Sequence, residues 1–112
     1  MRTGPAISSR KFWEPKVDLL ESHEGFVLKA EIAGVRADDI ELIYNEERHS
    51  ILIRGVRSEE DLPAGHQARC HQLEVFYGDF EREISLPDQE VEPAKMKASY
   101  RNGFLLVTIP KL

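Results

Sequence analysis

Apolar and polar side chains alternate along most of this chain, which is the signature of strands with one covered face. Val17, Leu19 and Leu20 with Asp18 and Glu21 make a short strand, placed at a sheet edge by Pro15 just before it. Phe26, Leu28, Ala30 and Ile32 then alternate with Val27, Lys29 and Glu31 until Gly34 breaks the pattern. Ile40, Leu42 and Tyr44 alternate with Glu41, Ile43 and Asn45, and Ile51, Ile53 and Gly55 with Leu52, Arg54 and Val56. The charged turn Glu46-Glu47-Arg48-His49 joins these two as a hairpin. Phe80, Arg82, Ile84 and Leu86 share one face of a further strand, which Pro87-Asp88 stops. Met96, Ala98 and Tyr100 line one face of the next strand, and Asn102-Gly103 follows. That dipeptide is the strongest hairpin signal in the chain, because a type I′ turn needs φ > 0 at both central residues. Its second arm, Phe104-Leu105-Leu106-Val107-Thr108-Ile109, is apolar on both faces, so this strand is expected to be covered on both sides. Seven or eight short strands, no helix and no repeat predict a single all-β domain, an antiparallel β-sandwich.

Two stretches break the pattern. Residues 1–12 carry Gly4 and Pro5, are mostly polar and show no period, so they are expected to form a flexible N-terminal arm before a domain at 13–112. Trp13 either plugs an edge of the sandwich or stays partly exposed. From Ser58 to about Gln67 the chain is acidic, contains Pro63 and Gly65, and reads as a long loop. Residues 68–75 regain strand character, but Arg69, His71, Gln72 and Glu74 leave little to bury. Such a strand, within an excursion spanning 58–76, suits pairing outside its own sheet. Arg82 is the odd member of its apolar face. It either meets a carboxylate or a subunit boundary, or snorkels its head to water.

Charge and chemistry narrow the function. The 112 residues carry 20 acidic and 15 basic side chains, a net charge of −5, which argues against a nucleic-acid partner. No apolar run is long enough to span a membrane, and Met1–Lys11 has no apolar core of a secretory signal. Cys70 is the single cysteine and cannot form an internal disulfide, so a cytoplasmic location is expected. Catalytic residues, metal ligands and cofactor sites are all absent from the expectation. Cys70 and His71 point to opposite faces if they lie on a strand. His23, His49, His66 and His71 show no metal-ligand spacing, and the acidic pairs 38–39, 46–47 and 59–60 read as solvated charge.

Three motifs carry a family resemblance. Ala98-Ser-Tyr-Arg-Asn102-Gly103-Phe-Leu105 is similar to an A-x-x-x-n-G-v-L signature, with Phe104 in place of the usual Val or Ile. Gly78-Asp-Phe80-Glu-Arg82-Glu-Ile-Ser-Leu86-Pro87 resembles a G-x-F-x-R-x-x-x-L-P run, and Asp18 to Gly34 resembles its D-x-x-E opening with Ile32-Ala33-Gly34 at the close. In order and separation these resemble the alpha-crystallin domain of the small heat-shock proteins, in its bacterial and plant form. The resemblance implies an immunoglobulin-like sandwich, and an ATP-independent chaperone, a holdase that binds non-native proteins and suppresses their aggregation. It implies a homodimer in which the strand Ala68–Val75, with Arg69, Cys70, His71, Gln72 and Leu73, pairs with Val17 and Leu19 on the partner's Val17–Glu21 edge, with Arg82 near the boundary. It also implies a groove of Ile40, Leu42, Tyr44, Met96 and Ala98 that receives an Ile-x-Ile/Val tail from another subunit. The chain ends at Leu112 without such a tail, which argues against higher oligomers. The rival reading is a CS-domain-like co-chaperone that docks on a chaperone as a monomer. The excursion at 58–76 counts against it.

Overall fold

The computed structural model describes residues 12–59 and 68–112, so the reading of residues 1–11 as a flexible arm, and of 60–67 as a loop, falls outside the described residues. Seven strands form: β1 (Val17–Glu21), β2 (Gly25–Glu31), β3 (Ile40–Asn45), β4 (Ser50–Arg57), β5 (Gly78–Ser85), β6 (Lys97–Arg101) and β7 (Phe104–Pro110). Two single 3₁₀ turns, Ala37–Asp39 and Pro93–Lys95, lead into β3 and β6. The strands build two antiparallel sheets, β1-β2-β7-β6 and β3-β4-β5.

Register follows the alternation seen in the sequence. Leu28 lies opposite Val107, Ala30 opposite Leu105, and Ile51 opposite Ile84. These pairs point inward with Phe26, Ile53, Phe80 and Ile109 into one apolar cluster between the sheets. Full burial of each such side chain stabilises the fold by roughly 1.5–3 kcal/mol. The Asn102-Gly103 turn forms as expected, with φ of 53° and 83°, and Arg101 pairs with Phe104 across it. Close to it, Ile32 donates its backbone N–H to the Gly103 carbonyl at 2.8 Å.

One expectation fails. β7 is central in its sheet, between β2 and β6, but only its inner face is covered. Phe104 and Leu106 on the outer face stay 41% and 40% exposed. Neighbouring strands satisfy the ladder without covering that face, and the Lys29 ammonium, 4.8 Å from the Phe104 ring centroid, is what lies over it. Residues 68–77 join no ladder among the described residues, and all of them are exposed.

Candidate functional site

Two open places in the sandwich collect the residues singled out by sequence. The first is the side where β1 and β5 end their sheets. Val17 and Leu19 sit half-buried on the inner face of β1, and Leu20 on the outer face is 56% exposed. Arg82, half-buried on β5, donates through Nη1 to the Pro15 carbonyl at 2.9 Å. It has no ion pair among the described residues, and no buried side-chain nitrogen or oxygen among them lacks a hydrogen-bond partner. Nearby, the backbone of Trp13 adds to the β5 edge, donating to the Asp79 carbonyl and accepting from Glu81 N–H, each at 3.2 Å. Its ring packs on Phe80 with centroids 5.1 Å apart, so Trp13 is an edge plug. The excursion beside this side carries Arg69, Cys70, His71, Gln72 and Leu73, all exposed, and Leu73, Val75 and Phe76 are large apolar side chains that are mostly exposed.

The second place lies opposite. Because β5 and the start of β1 are adjacent, the remaining sheet ends, β3 and β6, fall on the other side. Ile40, Leu42 and Tyr44 form the half-buried inner row of β3, and Met96 and Tyr100 the half-buried row around β6. Ala98 between them is exposed. Tyr100 packs against the core from the same row. Its hydroxyl donates to the Ile32 carbonyl at 2.9 Å, which fixes the ring across the end of the core. At the far end, Tyr44, Val91, Pro93 and Leu112 line a cavity of about 410 Å³ with Glu46, Asp88 and Glu90 at its rim.

His49 supports that end, and sequence reasoning missed it. It closes the β3–β4 turn at φ 51°, a conformation that costs most residues energy. Its Nε2 is 2.9 Å from the Pro87 carbonyl, which can only accept, so Nε2 carries the proton. In the neutral ring Nδ1 then accepts from the Tyr44 hydroxyl at 2.8 Å. Tyr44 is thereby tied through His49 to the segment that follows β5. Sequence reasoning could not pair residues 49 and 87, which only the folded sheet brings together.

Ionic chemistry is sparse at both places. On the outer face of β4–β5, Glu83 accepts from the buried Ser50 hydroxyl at 2.6 Å and from Arg48 at 2.8 and 3.0 Å. The Ser50 hydrogen bond, then Arg48, holds the Glu83 carboxyl below its ordinary range. No group of three His, Cys, Asp or Glu residues among those described could hold a metal ion. Cys70 is a free, exposed thiol. No helix among the described residues is long and apolar enough to cross a membrane.

Comparison with known proteins decides the family. The model of the Hsp20/alpha crystallin family matches residues 18–112. This chain belongs to the Hsp20/alpha crystallin family. Its relatives include small heat shock protein C2 of Rickettsia felis, 33% identical over 104 residues, or 93% of this chain and 64% of that protein. The 17.6 kDa class I heat shock protein 3 of Arabidopsis thaliana is 32% identical over 112 residues, 100% of this chain and 69% of that protein. The chain thus spans about two thirds of these curated relatives. Among solved structures, hspA from Xanthomonas axonopodis superposes with a TM-score of 0.75 at 34% identity, covering 90% of this chain and 96% of that one. A small heat-shock protein from Xylella fastidiosa, described as having a distinct high order structure, gives 0.73 at 32% identity, covering 90% and 88%. The small heat shock proteins are a chaperone family whose members typically form dimers and larger oligomers.

Proposed function

We propose that this Hsp20-family chain is an ATP-independent holdase that binds non-native polypeptides and delays their aggregation. The observation that supports it most is the open side between β3 and β6. There, half-buried apolar rows on two terminal strands offer an extended apolar segment both side-chain contacts and unpaired backbone. Ile40, Leu42, Tyr44, Met96 and Ala98 are the proposed contacts. The working unit is a homodimer in which residues 69–73 of each chain pair with Val17 and Leu19 on the partner's β1. Two features support this: among the described residues, β1 ends its sheet and residues 68–77 have no ladder partner. Arg82, bonded to the Pro15 carbonyl that leads into β1, fits a place beside that boundary. The lone Cys70 fits a reducing compartment, and the cytoplasm is the proposed location.

The test is light scattering by reduced, aggregating insulin in the absence of nucleotide. The reading expects scattering to fall as the chain approaches stoichiometric amounts, with no change when ATP is added. Scattering that stays at the control level at molar excess refutes holdase activity.

A further inference from the structure

Arg57 ties the root of the excursion to the rest of the fold. Arg57 is the last residue of β4, where the chain leaves the sheet. Its Nε and Nη2 both donate to the Phe76 carbonyl, at 2.9 and 2.6 Å, where the chain returns. Its Nη1 donates to the Ala33 carbonyl at 2.9 Å, in the turn after β2. The guanidinium also lies over the Trp13 ring, 4.2 Å from its centroid, and 5.7 Å from that of Tyr77. The Phe76 ring stacks on Trp13, with centroids 6.2 Å apart and planes within 14°. The indole N–H completes the cluster by donating to the Gly78 carbonyl at 3.2 Å. One planar cation therefore joins four segments: the approach to β1, the turn after β2, the end of β4 and the return into β5.

We propose that Arg57 is the positioning residue of the excursion: it locks Phe76 and Tyr77 against Trp13 and so sets the direction in which residues 68–75 leave the chain toward a partner. The proposal rests on the strand-exchanged dimer. Without the latch, an excursion of some twenty residues could leave its sheet in many directions, and pairing with a partner's β1 would bear the entropy of choosing one. With the latch, that ordering is already in place before the subunits meet. The geometry needs arginine. Two donors converge on one carbonyl, a third reaches another, and the flat face stacks on an indole. A lysine ammonium supplies charge without that fork or face.

Trp13 is the single tryptophan of the chain, so its fluorescence reports the latch directly. Emission and acrylamide quenching are measured for wild type, Arg57→Lys and Phe76→Ala, with dimer dissociation followed by light scattering over a dilution series. Circular dichroism checks the fold. Phe76 is 64% exposed, so its truncation leaves the core untouched even if Arg57→Lys folds poorly. The proposal expects red-shifted emission and stronger quenching in both variants, and a dimer dissociation constant raised about tenfold. Unchanged emission in both folded variants overturns the latch. Released Trp13 with an unchanged dissociation constant overturns its positioning role. A wild type that stays monomeric at every concentration removes the strand-exchange reading and the positioning role with it, while Trp13 emission still decides the latch.

Discussion

Gly55→Ala is expected to damage the groove from a position that touches no ligand. Gly55 lies on β4 between Ile40 of β3 and Phe80 of β5. A Cβ built there overlaps the Asp39 carbonyl oxygen and comes within 2.9 Å of Phe80 Cζ. Asp39 ends the 3₁₀ turn that feeds β3, and its own N–H is held by the Arg36 carbonyl at 2.8 Å. The obstacle is main chain, which cannot rotate aside as a flexible side chain would. Overpacking of this kind costs up to about 3 kcal/mol. Restricting the unfolded chain returns about 0.4–1 kcal/mol, leaving a loss of about 2 kcal/mol. For a domain of this size that lowers Tm by roughly 8–16 °C. Because Asp39 must move, Ile40 moves with it, and a peptide with two spaced apolar anchors should bind the groove more weakly. Gly78→Ala is the control. Gly78 has φ 93° but open space around it, so its cost is backbone strain alone, about 1–2 kcal/mol before the same offset. Urea unfolding of both variants, with peptide titration by calorimetry, measures the difference. A Gly55→Ala loss below about 0.5 kcal/mol, or no larger than that of Gly78→Ala, refutes the steric argument.

Three further outcomes are expected. Arg82→Ala should weaken the dimer by about 2–5 kcal/mol if the guanidinium completes its contacts across the boundary; dimer dissociation within about 0.5 kcal/mol of wild type would return Arg82 to a water-facing role. Deleting residues 58–75 and closing the gap should leave a folded monomer by light scattering, and a persistent dimer would place the interface elsewhere. Glu83, held below the ordinary 4.5, contributes stability that is present above that value and is lost as pH falls through its lower folded pKa. Ser50→Ala should bring the Glu83 titration, followed by carboxyl NMR, back up toward 4.5, since the Ser50 hydrogen bond is the largest cause of the depression; an unmoved titration contradicts that assignment.

How much of this was legible in the sequence depended on distance along the chain. The strands were readable because alternation is local, and the Asn102-Gly103 turn because its two positive φ values restrict residue choice. The inner row Ile40, Leu42 and Tyr44 follows from the same alternation, whereas its reading as a groove came from the family resemblance alone. The outer face of β7 was misread because an apolar run looks the same whether its second face is covered or, as at Phe104 and Leu106, half open to water. The hydrogen bond from the Tyr100 hydroxyl to the Ile32 carbonyl, 68 positions away, was not legible. The links from His49 to Pro87 and from Arg57 to Phe76 were equally hidden. Both use main-chain carbonyls as acceptors, and a carbonyl leaves no trace in residue identity. Arg82 stood out early because a charge on an apolar face is rare, yet its Pro15 acceptor was invisible for the same reason.

The account turns on residues 68–75 finding their sheet in a second copy of the chain. Amide hydrogen exchange over a protein dilution series tests this most directly, because among the described residues of one chain 68–75 have no ladder partners and β1 ends its sheet. The account predicts that amides of 69–73 and of the β1 edge gain protection together, at the concentration where the mass rises to twice 12.8 kDa. A mass that doubles while 69–73 go on exchanging at unprotected rates would contradict it.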